Sequence, residues 1–429
     1  MTYQEAITYF KQIQTGAKIR PGLTVIRTLM QHLGNPQDRL SFIHVAGTNG
    51  KGSTASFLST IYAEGRYKVG RFVSPVVFHE LEKIQVVQSG RTVWITEEEM
   101  AECLTEIRVA VETMQKNGEG IPTEFEIDTA AAFLAFDRWN CDLVVLETGM
   151  GGSLDATNMI RKTACAVITP IAMDHMSFLG NTIREIATQK AGIIKEKTPV
   201  VTCQHEPEAY ECLAEAAREK DSVIRAVSED DIALHNCTLK ELSFDYKMYH
   251  GLRLMVPGLY QVENACLALE CVEMLQCRFP VSEKQIRDGL ARTVWRGRFE
   301  LLREEPPVIV DGAHNPDGLR HFLASADAYL KKRKKIGIMG VFADKDTDTM
   351  TELLSERFQT VYTVTPPSGR GLPAERLAEK IGDRAVSCHS VTEAVERARS
   401  EADEENAALL IFGSLSILKE VYSNFSYKK

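Results

Sequence analysis

No stretch of the 429-residue chain sustains the roughly 18 apolar residues that a membrane helix needs, which excludes a helical membrane protein. The opening segment MTYQEAITYFKQIQ lacks the charged-then-apolar layout of a secretory signal, so a cytoplasmic protein is expected. None of the ten cysteines forms a C-x-x-C pair, and most have apolar or helical neighbours. That is the pattern of free thiols in a reducing compartment, with neither disulfides nor a zinc site expected. An excess of positive charge is missing too: 50 Lys and Arg against 59 Asp and Glu leave −9, a field with no grip on nucleic acid or an anionic membrane. Internal repeats and low-complexity tracts are absent. What remains, 44% hydrophobic and 25% charged, is the composition of a globular enzyme long enough for about two or three domains.

Short apolar runs alternate with helical periodicity: 42–46 then 53–64, 143–146, 166–169 then 183–194, and 200–202 then 207–218. Strands buried on both faces with helices packed outside produce this pattern, so the fold class is α/β with a mainly parallel sheet. Residues 234–256 change register, and the alternation over 237–239, 242–246 and 252–256 predicts a small antiparallel β appendage on the first domain. A second series from Val308 predicts a separate Rossmann-like domain. Its boundary falls where Trp295-Arg296-Gly297-Arg298 and Pro306-Pro307 interrupt the periodicity, giving domains 1–295 and 296–429. The cationic run Lys331 to Lys335 follows a predicted helix and reads as a solvated face opposite the helix C-terminal dipole.

The strongest chemical signal is HVAGTNGKGST at 44–54, a buried strand running through a glycine-rich turn into a helix. Glycines let successive backbone N–H groups converge on phosphate, the helix N-terminus adds its dipole and Lys51 a point charge, so the turn reads as a phosphate cradle. The strict G-x-x-x-x-G-K-[ST] pattern is not met, because Val45 stands at the first glycine and Gly52 separates Lys51 from Ser53. A second run, DLVVLETGMGG, delivers Glu147 to a strand end, where a carboxylate beside a phosphate loop can hold Mg2+. His175 lies just past another strand end and reads as a further metal ligand, although a lone His more often packs or bonds. Lys190, judged alone, is a solvated helix lysine. In the second domain Val308-Ile309-Val310 leads to Asp311, which suits a ribose hydroxyl; turn chemistry accounts for DGAHNP equally well.

Taken together, GTNGKGS, LETGMGGSLDATN, DHMSFLGNT, QKAGIIK, WRGRFE and DGAHNP resemble the folylpolyglutamate synthase/dihydrofolate synthase family of the Mur ligase superfamily. The resemblance runs in order from Pro21-Gly22-Leu23 to Gly413-Ser414-Leu415. It implies an N-terminal P-loop ATPase domain, a C-terminal Rossmann-like glutamate ligase domain, and an active site in the cleft between them. It implies that Asn49 to Ser53 wrap the ATP phosphates, that Ser74, Glu147 and His175 hold Mg2+, and that Lys190 is carbamylated and serves a second ion. Asn264, Arg298 and Asp311 would contact adenine, phosphate and ribose, and a monovalent cation would complete the cofactor set. Thr123, Glu124, Phe125 and Glu126 resemble the pterin-contacting loop, and Ser153, Leu154 and Asp155 the loop that closes on it. His314 and Ser414 would recognise glutamate.

The chain departs from the family pattern at Val76-Val77, at Lys83 where arginine is usual, and at Ser153, which replaces a larger residue. These departures bear on the acceptor and leave the ATP machinery intact. The implied enzyme is a monomeric C–N ligase that uses ATP to join L-glutamate to dihydropteroate or a reduced folate through an acyl phosphate. Two other readings compete: a Mur-type ligase with a different acid or amino acid, and a noncatalytic ATP-dependent switch.

Overall fold

The computed structural model describes residues 1–14 and 22–425; Pro21, the first residue of the family resemblance, lies outside them. Packing divides the chain into two compact units, residues Met1–Ile232 with Glu263–Thr293, and Ala233–Val262 with Val294–Lys429. No helix among the described residues is long and apolar enough to cross a membrane.

The first unit is built on eight strands: β1 (Phe42–Ala46), β2 (Val69–Phe72), β3 (Ile84–Gln88), β4 (Arg91–Trp94), β5 (Leu143–Glu147), β6 (Cys165–Ile168), β7 (Val200–Cys203) and β8 (Ile224–Val227). They lie in the order β4-β3-β2-β5-β1-β6-β7-β8. Pairing is parallel from β2 to β8, and the β3–β4 hairpin adds an antiparallel edge. Every residue of β1, β2, β5, β6 and β7 is buried, which is why four of these segments read as apolar runs, while buried Arg71 kept β2 from showing one. Register sets the functional edge: Val45 pairs with Glu147, and Ala46 with Ile168. The loops leaving β1, β5 and β6 therefore emerge side by side.

β9 (Ile232–Cys237), β10 (Leu242–Tyr246) and β11 (Tyr249–Leu254) form the three-stranded antiparallel sheet. Two expectations change here. The first strand lies about five residues earlier than the alternation suggested, because β9 is mostly exposed and shows no apolar face. The sheet also groups with the second unit rather than the first. Leu239 packs on that unit's core, Lys240 pairs with Glu304 at 2.7 Å, and beyond β11 Leu259 N donates to Ser325 Oγ at 3.0 Å.

The second unit's main sheet has β12 (Glu300–Arg303), β13 (Val308–Val310), β14 (Lys335–Met339), β15 (Thr360–Thr363), β16 (Ala385–Ser387) and β17 (Ala408–Phe412) in the order β12-β13-β17-β14-β15-β16. All pairs are parallel except β12 with β13. The cationic run is less solvated than expected: Lys335 opens β14, is buried, and pairs with Asp327 at 2.9 Å.

One close approach fixes the loop that follows β5. Ser153 N donates to Gln189 O at 2.7 Å, and Asn158 Nδ2 donates to the carbonyls of Ser153 and Gly192 at 3.1 and 3.0 Å. Gly192 closes the helix Ile183–Ala191 with ordinary right-handed dihedrals. A Cβ on it would stand 2.4 Å from Ser153 Cα, so the constraint is space rather than backbone angle. We expect Gly192→Ala to destabilise the first unit by about 1–3 kcal/mol through overpacking, measured by denaturant unfolding. A neutral or stabilising effect, the usual outcome for alanine at a helix end, would contradict this packing.

Candidate active site

The site grows from the turn after β1. Gly47 has φ +151°, and a Cβ there would meet Thr169 Oγ1 at 1.8 Å, so only glycine fits. The turn is tied to the neighbouring β6 loop. Thr48 N donates to Pro170 O at 2.9 Å, Thr48 Oγ1 donates to Ala172 O at 3.0 Å, and Thr169 Oγ1 donates to Asn49 O at 2.6 Å. Gly50, with φ +89°, is the N-cap of the helix Lys51–Glu64 and has no side chain to occupy the helix's first amides. The first helical bond runs from Thr54 N to Gly50 O at 2.9 Å. Helix geometry thus directs the N–H groups of Lys51, Gly52 and Ser53 forward, where an anion is stabilised by donors and dipole together.

Two lysines converge on the same turn. Lys51 Nζ donates to the carbonyls of Gly47 and Thr48, both at 3.2 Å, and Lys190 Nζ donates to Gly47 O at 2.6 Å. Lys190 is 2% exposed, which overturns its reading as a solvated helix lysine. Burial, then the nearby Lys51 cation, push its pKa down to about 7, while Asp174 and Asp155 pull the other way. Its amine is therefore partly neutral at neutral pH.

Glu147, 4% exposed at the end of β5, receives the Ser74 amide at 3.4 Å, so the register brings these two predicted metal ligands together. His175 follows the β6 loop with φ +50°, and its Nε2 lies 3.9 Å from Asp174 Oδ2. Asp155 accepts from Met150 N at 2.9 Å, Thr157 N at 3.0 Å and Thr157 Oγ1 at 2.5 Å. Burial raises its pKa against these bonds. Ser153 Oγ donates to Gln189 Oε1, and Leu154 is exposed. Asn264, on the helix Gln261–Leu275, lies against the phosphate turn: a Cβ on Gly50 would stand 2.2 Å from Asn264 Oδ1.

Of the four residues at 123–126, two are engaged in helix capping. Thr123 is the N-cap of the helix Glu124–Arg138, and Glu126 accepts from Thr123 N at 2.8 Å and from Thr123 Oγ1 at 3.0 Å. Glu124 is exposed. Phe125 presses on Gly149, where a Cβ would meet its Cζ at 2.6 Å, and its ring centroid is 5.8 Å from that of Phe72. Lys83, the departure from arginine, pairs with Asp128 of this helix at 2.7 Å.

In the second unit Asp311 is held by three donors: Phe299 N at 2.7 Å, Ala313 N at 2.7 Å and Tyr260 Oη at 2.5 Å. Burial raises its pKa, opposed first by Arg298. Arg298 Nη1 donates to Gly297 O at 3.0 Å and lies over Gly312, where a Cβ would stand 2.3 Å away. Gly413 N donates to Ala313 O at 2.9 Å, which sets His314 and Ser414 on adjacent segments. His314 Nδ1 bonds Gly312 O at 2.8 Å, and Ser414 caps the turn at 415–417. Sequence reasoning missed Thr169, Pro170 and Tyr260, which shape the two sites without carrying a recognisable motif.

Residues 45–272 match the Mur ligase middle domain family, and residues 297–415 match the Mur ligase glutamate ligase domain. The dihydrofolate synthase/folylpolyglutamate synthase of Bacillus subtilis (strain 168) is 33% identical over 98% of this chain and 98% of its own length. Its Escherichia coli (strain K12) counterpart is 31% identical over 93% of this chain and 90% of its own. Among solved structures, Mycobacterium tuberculosis folylpolyglutamate synthase complexed with ADP and AMPPCP superposes with a TM-score of 0.88 at 30% identity, covering 99% of each chain. E. coli FolC in complex with DHPP and ADP gives 0.88 at 28%, over 99% of this chain and 98% of that one. A phosphate turn on β1, an acidic strand end on β5 and a buried lysine beneath the turn, joined to similarity along nearly the whole chain, make this protein a member of the folylpolyglutamate synthase/dihydrofolate synthase family of Mur ligases.

Proposed function

We propose that this chain is an ATP-dependent C–N ligase that joins L-glutamate to a pterin or folate carboxylate, accepting both dihydropteroate and reduced folates. The observation that carries the reading is the convergence of Lys51 and Lys190 on the Gly47 turn, beside the Ser74–Glu147 pair. Similarity to enzymes named for both activities, over nearly their full length, supports the two acceptors. In this reading residues 1–295 carry the ATP and acceptor sites and residues 296–429 form the glutamate ligase part. The enzyme is a cytoplasmic monomer that acts on small molecules.

The mechanism follows from charge. An acceptor carboxylate oxygen attacks the γ-phosphorus of ATP, the bond to the bridging oxygen breaks, and ADP leaves. Lys51 and the amides of Asn49 to Ser53 stabilise the charge that spreads over the phosphoryl oxygens, aided by Arg298. Asn264 contacts adenine and Asp311 the ribose. The glutamate amine then attacks the acyl carbon, loses a proton to solvent, and expels phosphate. In this reading Glu147 and Ser74 would hold Mg2+ through oxygen, the donor that a hard divalent cation prefers, with His175 as an added nitrogen ligand. When bound, Mg2+ neutralises phosphoryl charge. A second ion and a monovalent cation fit the same scheme.

Lys190 is carbamylated in this reading. Its neutral amine adds to CO2, a C–N bond forms, a proton departs, and the anion produced faces the Lys51 cation. Because its pKa sits at about 7 rather than 10.5, the reactive neutral form grows as pH rises through that value. On the acceptor side, Phe125 offers a flat face, Glu124 and the capped pair Thr123 and Glu126 fix its segment, and Ser153 to Asp155 form the facing loop. His314 and Ser414 bind glutamate.

Phosphate release with Mg-ATP and L-glutamate, comparing dihydropteroate with tetrahydrofolate, tests the function. Turnover is expected with both, each product carrying one more glutamate by mass spectrometry, and turnover with neither would overturn the reading. Lys51→Ala should lower kcat by about 10²–10³-fold or more, and Glu147→Ala should abolish Mg-dependent turnover; near-normal rates would remove these roles. With ¹³C-bicarbonate, a carbamate NMR signal should appear, strengthen as pH rises through about 7, and vanish in Lys190→Gln. A pH-independent signal, or none, would contradict carbamylation.

A further inference from the structure

Outside this machinery, three chemically different ligands meet. Cys203 ends β7, His205 lies two residues on in the loop before the helix Pro207–Glu219, and Glu263 sits in the first turn of the helix Gln261–Leu275. Their Sγ, imidazole nitrogen and carboxylate oxygen all lie within 4.8 Å of one another, and His205 Nδ1 is 3.0 Å from Glu263 Oε1. The Cys203 thiol is buried, while the side chains of His205 and Glu263 are 33% and 21% exposed. The cluster is thus anchored at its base and reachable from solvent. We propose that Cys203, His205 and Glu263 bind one zinc-class divalent cation, with a fourth position left to solvent.

The chemistry selects the ion. A thiolate and an imidazole with one carboxylate favour zinc, cobalt, nickel or copper over magnesium or calcium, which prefer shells dominated by oxygen and do not take thiolates. Mg2+ at the ATP site therefore does not compete for this one. The cluster was invisible to the cysteine spacing because its parts come from positions 58 residues apart. The next residue, Asn264, lies against Gly50 of the phosphate turn. An ion here would brace the start of that helix against the β7 loop. Burial, then Glu263, raise the Cys203 pKa, so the bound ion must displace the thiol proton.

The test uses the full chain carrying Cys277→Ser, which removes the exposed thiol, in excess Mg2+. Cobalt titration should give a thiolate-to-cobalt charge-transfer band saturating at one ion per chain. Zinc calorimetry should show release of about one proton and a raised melting temperature. Cys203→Ser should lose the band, and His205→Ala, in a partly exposed loop, should lower affinity by at least about tenfold. His205→Ala should leave Mg-ATP turnover unchanged. Absence of the band, its survival in Cys203→Ser, equal affinity in His205→Ala, or displacement of the ion by Mg2+ would each overturn the proposal.

Discussion

The carbonyl of Gly47 is where the architecture and the chemistry meet. It accepts from Lys190 and Lys51, and it can do so because Gly47, pressed on Thr169, has no side chain. The turn's shape is thereby fixed from three directions: the β1 strand behind it, the β6 loop beside it, and the helix of Lys190 beneath. A phosphate cradle needs such fixing, because backbone donors stabilise an anion only when they already point at it. Parallel pairing of β1 with β5 and β6 is what delivers the three loops to one edge.

Burying Lys190 beside a second cation is costly, and among the described residues no direct ion pair offsets it; Asp174 and Asp155 act at longer range. The result is an amine of ordinary connectivity with the reactivity of a much weaker base. Surrounding contacts hold it there. The loop after β5 is bolted onto the same helix through Ser153, Gln189, Asn158 and the close approach at Gly192. Glu147 at one end of that loop and Asp155 at the other are therefore set relative to Lys190 by packing rather than by charge. Asp311 is treated similarly in the second unit, where a buried carboxylate is held by three donors.

The buried strands were legible because a strand covered on both faces is mostly apolar: the expected 42–46 coincides with β1 despite His44, and 143–146 falls within β5, whereas β2 with its buried Arg71 showed no run. β9 was misplaced for the opposite reason, since an exposed strand carries no pattern to read. Lys51 and Glu147 could be found from local motif and strand-end position. Lys190 could not, because its burial comes from the fold and only the family resemblance marked it. Thr123-Glu124-Phe125-Glu126 shows a second limit: its capping-box spacing was readable, yet the segment was interpreted by substrate resemblance alone. Thr169 and the Cys203 cluster depend on neighbours distant in sequence, so no window of residues contains them.

The central claim is that the chain activates its acceptor by phosphoryl transfer to the carboxylate. The most direct measurement is an isotope transfer: supply the acceptor with oxygen-18 in the carboxylate that receives glutamate, add Mg-ATP and L-glutamate, and analyse the released phosphate by mass spectrometry. The account predicts ADP as the nucleotide product and one labelled oxygen in each phosphate formed. Unlabelled phosphate accompanying amide product, or AMP in place of ADP, would contradict it.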